Sequence, residues 1–541
     1  MKNNILLLFV FLSFYSFSQT EDAWLFLKDK PKADVFLANP TSILSQRSLD
    51  RRTQQSISLD EKDVPVDADY LKDIKATTNL IILGKSKWLN AVHVQATKNV
   101  IDGSLPNLPF VDKVEYANKN LNSGAKSIRK RTKRNHQNKF LKSNTDFIYG
   151  DTENQVKMLK ADFLHKEGFT GDEMQIAIID AGFPNVNTLP AFQKIRNNNQ
   201  ILGGYNFADR NSNYYTRHSH GTHVLSTIAG NLENEFLGTA PNAKFYLFIS
   251  EITETETVLE ETLWVEAAER ADSLGVDIIN TSLGYTDFDN SDHDYTYSDM
   301  DGKTTFISRG AEIGVSRGMI LVNAAGNSGN QSWKYIGAPA DAESVFSIGA
   351  VNAVQNIASF SSFGPTADNR VKPDVLAQGQ STAIINFSSG NSTTSNGTSF
   401  SSPVIAGVIA CFWQAFPDKT NFEIMNLIRA AADRFSNPTE QEGYGVPNFE
   451  IAYNTVLSLS NFDLMNFRVY PNPVKQFFTV LSNGNNLKEV SIKIYNILGK
   501  KVLEKKELTS NKIDVFNLEK GIYLLKIQKG NQQKTIKLIK Q

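Results

Sequence analysis

The sequence predicts an α/β protein, with a parallel sheet flanked by helices, a small α+β unit before it and a small all-β sandwich after it. Three observations carry this. Between residues 145 and 457, short apolar runs such as Ile176–Ile179, Phe245–Ile249, Val276–Asn280, Met319–Asn323 and Val345–Ala350 alternate with helical patterns. Runs with no polar alternation suit strands covered on both faces, which means parallel strands joined by crossover helices. After a break near Leu457 the apolar residues alternate instead, as in Val490, Ile492 and Ile494, which is the period of a strand buried on one face.

The elements follow in chain order. The first eighteen residues form a signal peptide: Lys2 gives a positive start, Ile5 to Phe17 an apolar run, and Ser16-Phe17-Ser18 a small-x-small cleavage site. The run is too short to span a bilayer. Residues 20 to about 118 read as the α+β unit, with strands at Ala23–Leu27, Leu80–Leu83 and Ala91–Val94 and a helix over 41–55. Asn118 to Asn144, rich in Lys, Arg, Asn and Ser, cannot form a core and reads as an exposed basic linker. The domain boundaries are therefore 1–18, 19–144, 145–457 and 466–541. Asn483-Gly484 marks a turn in the last of these.

At 541 residues the chain needs several cores, and 41% hydrophobic with 21% charged residues is ordinary for globular protein. The charge is uneven. From Met465 onward fourteen Lys and one Arg face five acids, a net of +10, so the remainder carries −11 of the overall −1. A solvated lysine-rich sheet explains that tail without nucleic acid. Cys411 is the one cysteine and lies in the apolar run Val404–Phe412, where a buried thiol is expected.

Three segments carry chemistry. Ile176-Ala-Ile-Ile-Asp180-Ala-Gly182 ends a buried strand in a carboxylate and a glycine turn, and sites form at the carboxyl ends of parallel strands. In Ser219-His220-Gly-Thr-His223 the serine is the expected N-cap, with His220 in the first helical turn. Two readings of this histidine-rich stretch stay open: His220 as general base, or His218, His220 and His223 as metal ligands. The third segment, Asn396-Gly397-Thr-Ser399-Phe-Ser-Ser-Pro403, precedes an apolar helix whose first turn suits Pro403. Ser399 is expected at the helix N-terminus, where the backbone N–H groups and helix dipole favour developing negative charge.

A serine nucleophile needs a base, and the base needs a carboxylate. The order Asp…His…Ser is that of subtilisin; an α/β-hydrolase would run Ser…Asp…His and carry a second elbow glycine, which Gly397-Thr-Ser399-Phe-Ser401 lacks.

These segments resemble the three signatures of the subtilase (peptidase S8) family. Gly238-Thr-Ala-Pro241, Asn280-Thr-Ser282-Leu283-Gly284, Ala324-Ala325-Gly326-Asn327, the stretch from Ala358 to Pro365 and Lys372-Pro-Asp374 are similar to its other landmarks. The resemblance implies a secreted serine endopeptidase acting on proteins or peptides through an acyl-enzyme. Asp180, His220 and Ser399 are its triad and Asn327 its oxyanion donor, while Ser282, Leu283, Gly284, Ala325 and Gly326 bind substrate. No cofactor is needed for that chemistry. His223 is structural on this reading; a metal-dependent hydrolase using His218, His220 and His223 and a catalytically dead binding module stand as the competing readings, the latter opposed by competent residues at all four catalytic positions. The small residues at 324–326 imply an S1 pocket for large apolar side chains.

Two departures stand out. Ala181 replaces the Thr or Ser usual after the aspartate, and Asn231–Leu237 differs from the family's calcium loop. A structural calcium ion finds its other candidate in the insertion from Tyr285 to Thr305, with aspartates at 287, 289, 292, 294, 299 and 301.

The 20–118 unit looks like the family's ferredoxin-like inhibitory prosegment, cut off within 118–144 on maturation. Residues 466–541, with Tyr470-Pro-Asn-Pro473 and Leu518-Glu-Lys-Gly521, resemble the type IX secretion sorting domain of Bacteroidota. The expected protein is a monomer, inhibited by its own prosegment, recognised by type IX machinery, and released or attached at the cell surface.

Overall fold

The computed structural model describes residues 19–122, 147–465, 468–481, 490–496, 499–508, 510–529 and 532–541. The expected signal peptide, most of the expected basic linker and the expected Asn483-Gly484 turn lie outside them. The chain forms two compact units, one up to Glu450 and one from Ile451.

The first unit opens with β1 (Thr20–Leu27), α1 (Gln46–Gln54), α2 (Ala68–Lys75), β2 (Leu80–Ser86), β3 (Ala91–Thr97), α3 (Lys98–Ser104) and β4 (Val111–Tyr116). The strands form an antiparallel sheet in the order β2-β3-β1-β4, as expected of a ferredoxin-like unit. Helix α1 starts later than its sequence pattern suggests, because Ser45 caps it through Ser48 N–H and 40–42 form a separate 3-10 turn. Alternation along β1 sends Ala23, Leu25 and Leu27 into this unit's own core. Trp24 points the other way, onto the central domain, where it stacks on Phe306 at 4.8 Å and donates to Thr262 Oγ1 at 3.0 Å.

The central domain holds a seven-stranded sheet made of β5 (Gln175–Asp180), β6 (Ile201–Asn206), β7 (Lys244–Ile249), β8 (Ile278–Thr281), β9 (Ile320–Ala324), β10 (Phe346–Val351) and β11 (Val375–Gln378). Every ladder in the order β11-β10-β9-β8-β5-β7-β6 is parallel. Strands β8 to β11 are buried along their whole length, which is why they read as apolar runs rather than alternations. Helices α4 (His220–Ala229), α5 (Leu259–Leu274), α6 (Phe306–Ser316) and α7 (Thr398–Ala415) pack on it. Helix α7 is apolar on every side after its Ser-rich first turns and almost completely buried, as expected of a central helix. Cys411 lies on it, buried, its thiol donating to Thr239 O.

The second unit carries β12 (Arg468–Tyr470), β13 (Phe477–Leu481), β14 (Val490–Asn496), β15 (Lys501–Lys505), β16 (Lys512–Asp514), β17 (Gly521–Lys529) and β18 (Gln532–Lys540). Its two sheets, β12-β13-β16 and β15-β14-β17-β18, share one core that includes Phe478, Val480, Ile492, Ile494, Ile513 and Leu525. This is the small sandwich that the alternation predicts. No helix among the described residues is long and apolar enough to cross a membrane.

Candidate active site

Three elements end at one place. Strand β5 delivers Asp180 at its carboxyl end, 2% exposed. Helix α4 begins at His220, whose Nδ1 lies 2.8 Å from Asp180 Oδ1; the same oxygen accepts the Ala181 N–H at 2.7 Å. Asp180 Oδ2 is buried without a partner among the described residues. The close approach of α4 to β5 depends on Gly221. A Cβ there would stand 2.5 Å from Gly182 O and 3.0 Å from Asp180 Cβ. Ser219 occupies the N-cap position as expected, but its side chain makes no capping bond.

Helix α7 starts at Thr398, earlier than the placement of Pro403 in its first turn implies, with Gly397 (φ 146°) as N-cap. A φ in that range favours glycine. Ser399 is thereby the second helical residue, its N–H among the amides left free at a helix start. Pro403 sits inside the helix and supplies no N–H to the carbonyl four residues back, which is that of Ser399. That carbonyl instead accepts Ser282 Oγ–H at 3.0 Å, tying the helix start to the segment after β8.

The Ser399 hydroxyl donates to Ser282 O at 3.3 Å. The structure thus joins Asp180 to His220 directly and brings Ser399 beside them, its neighbour Phe400 5.9 Å from the His220 ring, with no Ser399–His220 hydrogen bond in this rotamer. Burial disfavours the His220 imidazolium, but the charge and hydrogen bond of Asp180, helped by Glu251, outweigh it and raise the His220 pKa above its ordinary value.

Asn327 is oriented from the same helix start. Its Oδ1 accepts Thr398 N–H at 2.8 Å and Thr398 Oγ–H at 3.1 Å, which leaves Nδ2 as the donor available to the cleft. Beside it lies a pocket of about 140 Å³. All five residues expected to bind substrate line it, along with Asn327 and Ser399, and so do Trp333 and Tyr335, which nothing in the sequence pattern singled out. Tyr297, from the 285–305 insertion, packs on Tyr335 with ring centres 4.2 Å apart. Among the described residues no charged side chain lines the pocket. Two buried asparagines brace its walls: Asn280 accepts Ser402 Oγ–H at 2.9 Å, and Asn323 donates to Leu283 O at 3.2 Å. A polar residue inside each apolar run, Ile-Ile-Asn280 and Leu-Val-Asn323, was the available signal.

The other histidines do not converge with His220. His218 Nδ1 accepts the His220 backbone N–H at 3.3 Å, and His223 packs edge-on against Phe387 with its pKa pushed down to about 4 by burial and the neighbouring histidines. Among the described residues no group of three or more His, Cys, Asp or Glu is placed to hold a metal ion. Aspartates of the insertion cap turns instead: Asp294 accepts Phe288 N–H, and Asp301 accepts the N–H groups of Lys303 and Thr304.

Models of known families match three stretches. Residues 22–138 match the peptidase S8 propeptide domain of Bacteroidota, 171–446 the subtilase family, and 468–541 a secretion system C-terminal sorting domain. Subtilisin DY of Bacillus licheniformis is 29% identical over 300 residues, spanning 55% of this chain and 97% of the relative. Subtilisin E of Bacillus subtilis (strain 168) is 30% identical over 307 residues, spanning 55% and 70%. The sorting domain indicates secretion or cell-surface attachment. With a parallel-sheet core, a propeptide domain, a subtilase match over 171–446 and subtilisin relatives matching 55% of its length, the chain belongs to the subtilase family of serine endopeptidases.

Proposed function

We propose that Ser399 is the nucleophile, His220 its general base and Asp180 the residue that orients His220, with Asn327 Nδ2 and the Ser399 N–H receiving the oxyanion. The 2.8 Å contact of Asp180 Oδ1 with His220 Nδ1, beside a serine at a helix N-terminus, carries this reading. A turn of Ser399 about Cα–Cβ, away from Ser282 O, points its hydroxyl toward His220 Nε2; such contacts are often unmade in free enzymes. His220 takes the hydroxyl proton as Oγ attacks the scissile carbonyl, then gives it to the leaving amine. Water then hydrolyses the acyl-enzyme by the same proton path.

The substrate is a protein or peptide whose backbone runs along Ser282–Gly284 and whose P1 side chain enters the pocket lined by Ala325 and Gly326. An uncharged pocket of about 140 Å³ with Trp333 and Tyr335 in its wall supports large apolar P1 residues. No cofactor takes part in the chemistry. Residues 1–18 are the signal peptide and 19–144 the prosegment and linker, an intramolecular inhibitor cut off within 118–144. The catalytic domain runs over 145–457 and the sorting domain over 466–541, which type IX machinery recognises. The mature enzyme is a monomer.

Labelling with phenylmethylsulfonyl fluoride tests the core of this. The secreted enzyme should lose casein hydrolysis and carry the label on Ser399, and the Ser399→Ala chain should neither cleave casein nor take label. Casein cleavage that survives both treatments refutes the assignment.

A further inference from the structure

We propose that Glu251 forms the floor of the S2 subsite and selects substrates with a cationic side chain at P2, a reading that rests on the active site proposed above. Strand β7 runs beside β5 with Ile249 opposite Asp180, and Ser250 N–H donates to Asp180 O at 3.2 Å. Glu251 therefore emerges just past the carboxyl edge of the sheet, next to the residue that holds His220. From the other wall of the cleft Tyr285, which follows Gly284 directly, donates its hydroxyl to Glu251 Oε1 at 2.7 Å. Glu251 thus links the His220 side of the cleft to the end of the substrate-binding segment.

The chemistry of this carboxylate points to a cation. Ser250 Oγ–H also goes to Oε1, at 2.8 Å, so both hydrogen-bond donors serve one oxygen. Among the described residues no Lys, Arg or His forms an ion pair with Glu251, and no donor reaches Oε2. Arg217, the cation of the neighbouring loop, is engaged by Asp209 and Glu254. Glu251 is half-buried, and its charge acts on His220 strongly enough to help raise that pKa. Burial first, then repulsion from Glu256 and Asp180, pushes the Glu251 pKa up to about 7. A half-buried carboxylate with no counter-ion gains from any cation delivered to it.

The geometry of an extended substrate delivers one. Successive side chains of an extended peptide point to opposite faces. With P1 in the uncharged pocket formed by 324–326, P2 turns away from it, toward His220 and Glu251. A lysine or arginine there can reach Oε2 with its methylenes against the cleft wall.

The test uses the secreted, self-processed enzyme and peptides that share an apolar P1 but carry Lys, Ala or Glu at P2. They are assayed above the raised pKa of Glu251. The expected result is a kcat/KM about tenfold higher for Lys than for Ala, lower again for Glu, with the Lys-to-Ala ratio falling to near one in Glu251→Gln. Gln still accepts from Tyr285. The ratio is internal to each variant, so a change in total activity does not affect it. In Glu251→Lys the order should reverse, with Glu at P2 preferred over Lys. Equal rates for Lys and Ala in the parent enzyme, or a Lys preference that survives in Glu251→Gln, overturns the assignment of Glu251 alone. Failure to cleave any peptide, with no label on Ser399, overturns the active-site reading as well.

Discussion

The docking of the N-terminal unit on the central domain should depend heavily on Asp272. This aspartate of α5 is 0% exposed and receives two buried arginines from α1. Arg51 Nη2 donates to Oδ1 at 2.5 Å, and Arg52 Nη2 lies 2.9 Å from Oδ1 and 2.7 Å from Oδ2. Arg52 also has its Nη1 2.7 Å from Asp63 Oδ1, but off the hydrogen-bonding axis, so Asp272 is its better partner. Asp272→Asn takes the shared carboxylate from both guanidiniums, leaving Arg51 buried against neutral oxygens only and Arg52 with Asp63 as its remaining carboxylate. Removing one partner of a buried pair costs about 3–5 kcal/mol, which corresponds to roughly two to three and a half powers of ten in the docking equilibrium.

Native-state hydrogen exchange reads this directly. In full-length Ser399→Ala, which stays uncut by its own site, the amides of α1 and β2 should lose protection by that factor when Asp272→Asn is added. Protection unchanged within about threefold refutes the reasoning. Acid should act on the same contacts. Burial alone would raise the pKa values of Asp272, Asp60 and Glu115, but their arginine partners more than reverse it, and all three lie below the ordinary carboxylate range. A depressed carboxylate pKa contributes docking free energy that is present above the free value and lost as pH falls through the bound one. Docking of the prosegment unit should therefore start to weaken as pH falls into the usual carboxylate range, be lost below it, and stay intact near neutrality.

The remaining expectations concern the catalytic centre. Asn327→Ala should lower kcat about 10²–10³-fold with little change in KM, a magnitude taken from subtilisin itself; a loss below tenfold would remove Asn327 from the oxyanion site. The acid limb of kcat/KM should have its midpoint above 6.5, because His220 must be neutral to act and Asp180 holds its pKa up. Asp180→Asn should move that midpoint down and cost about 10⁴-fold in kcat, so an unmoved profile contradicts the pairing. Gly221→Ala should destabilise the central domain by about 1–3 kcal/mol and reduce kcat, since its Cβ collides with Gly182 O; thermal melting and turnover together check it.

How much of this was legible in the sequence depended on the range of the interaction. The buried strands could be read because each lies between two layers and is apolar at nearly every position, a property local to five or six residues. The placement of Asp180, His220 and Ser399 could be read because each sits at an element terminus that its neighbours specify. Pro403 shows where local reading fails. Proline in a first turn is the ordinary case, but α7 begins five residues earlier because Gly397 supplies the unusual φ, and the proline instead frees the Ser399 carbonyl for Ser282. The Asp-rich insertion is open to two local readings. Its composition suits calcium, yet its residues cap turns, pack Tyr297 on Tyr335 and receive Lys119, whose Nζ lies 2.6 Å from Asp299.

Glu251 is the sharpest case of a residue no sequence window identifies. Nothing distinguishes it from Glu254 or Glu256 in Glu251-Ile-Thr-Glu-Thr-Glu256. Its character comes from strand register, which sets Ile249 against Asp180, and from Tyr285, 34 residues away, which takes up one oxygen. The residues proposed to be catalytic are declared by the ends of the elements that carry them. The selectivity proposed for Glu251 depends on contacts across elements, so the two should vary separately apart from the Glu251 charge that His220 feels. Changing Glu251 should alter which peptides are cut without moving the Asp180–His220 contact, and changing Asp180 should slow every peptide alike.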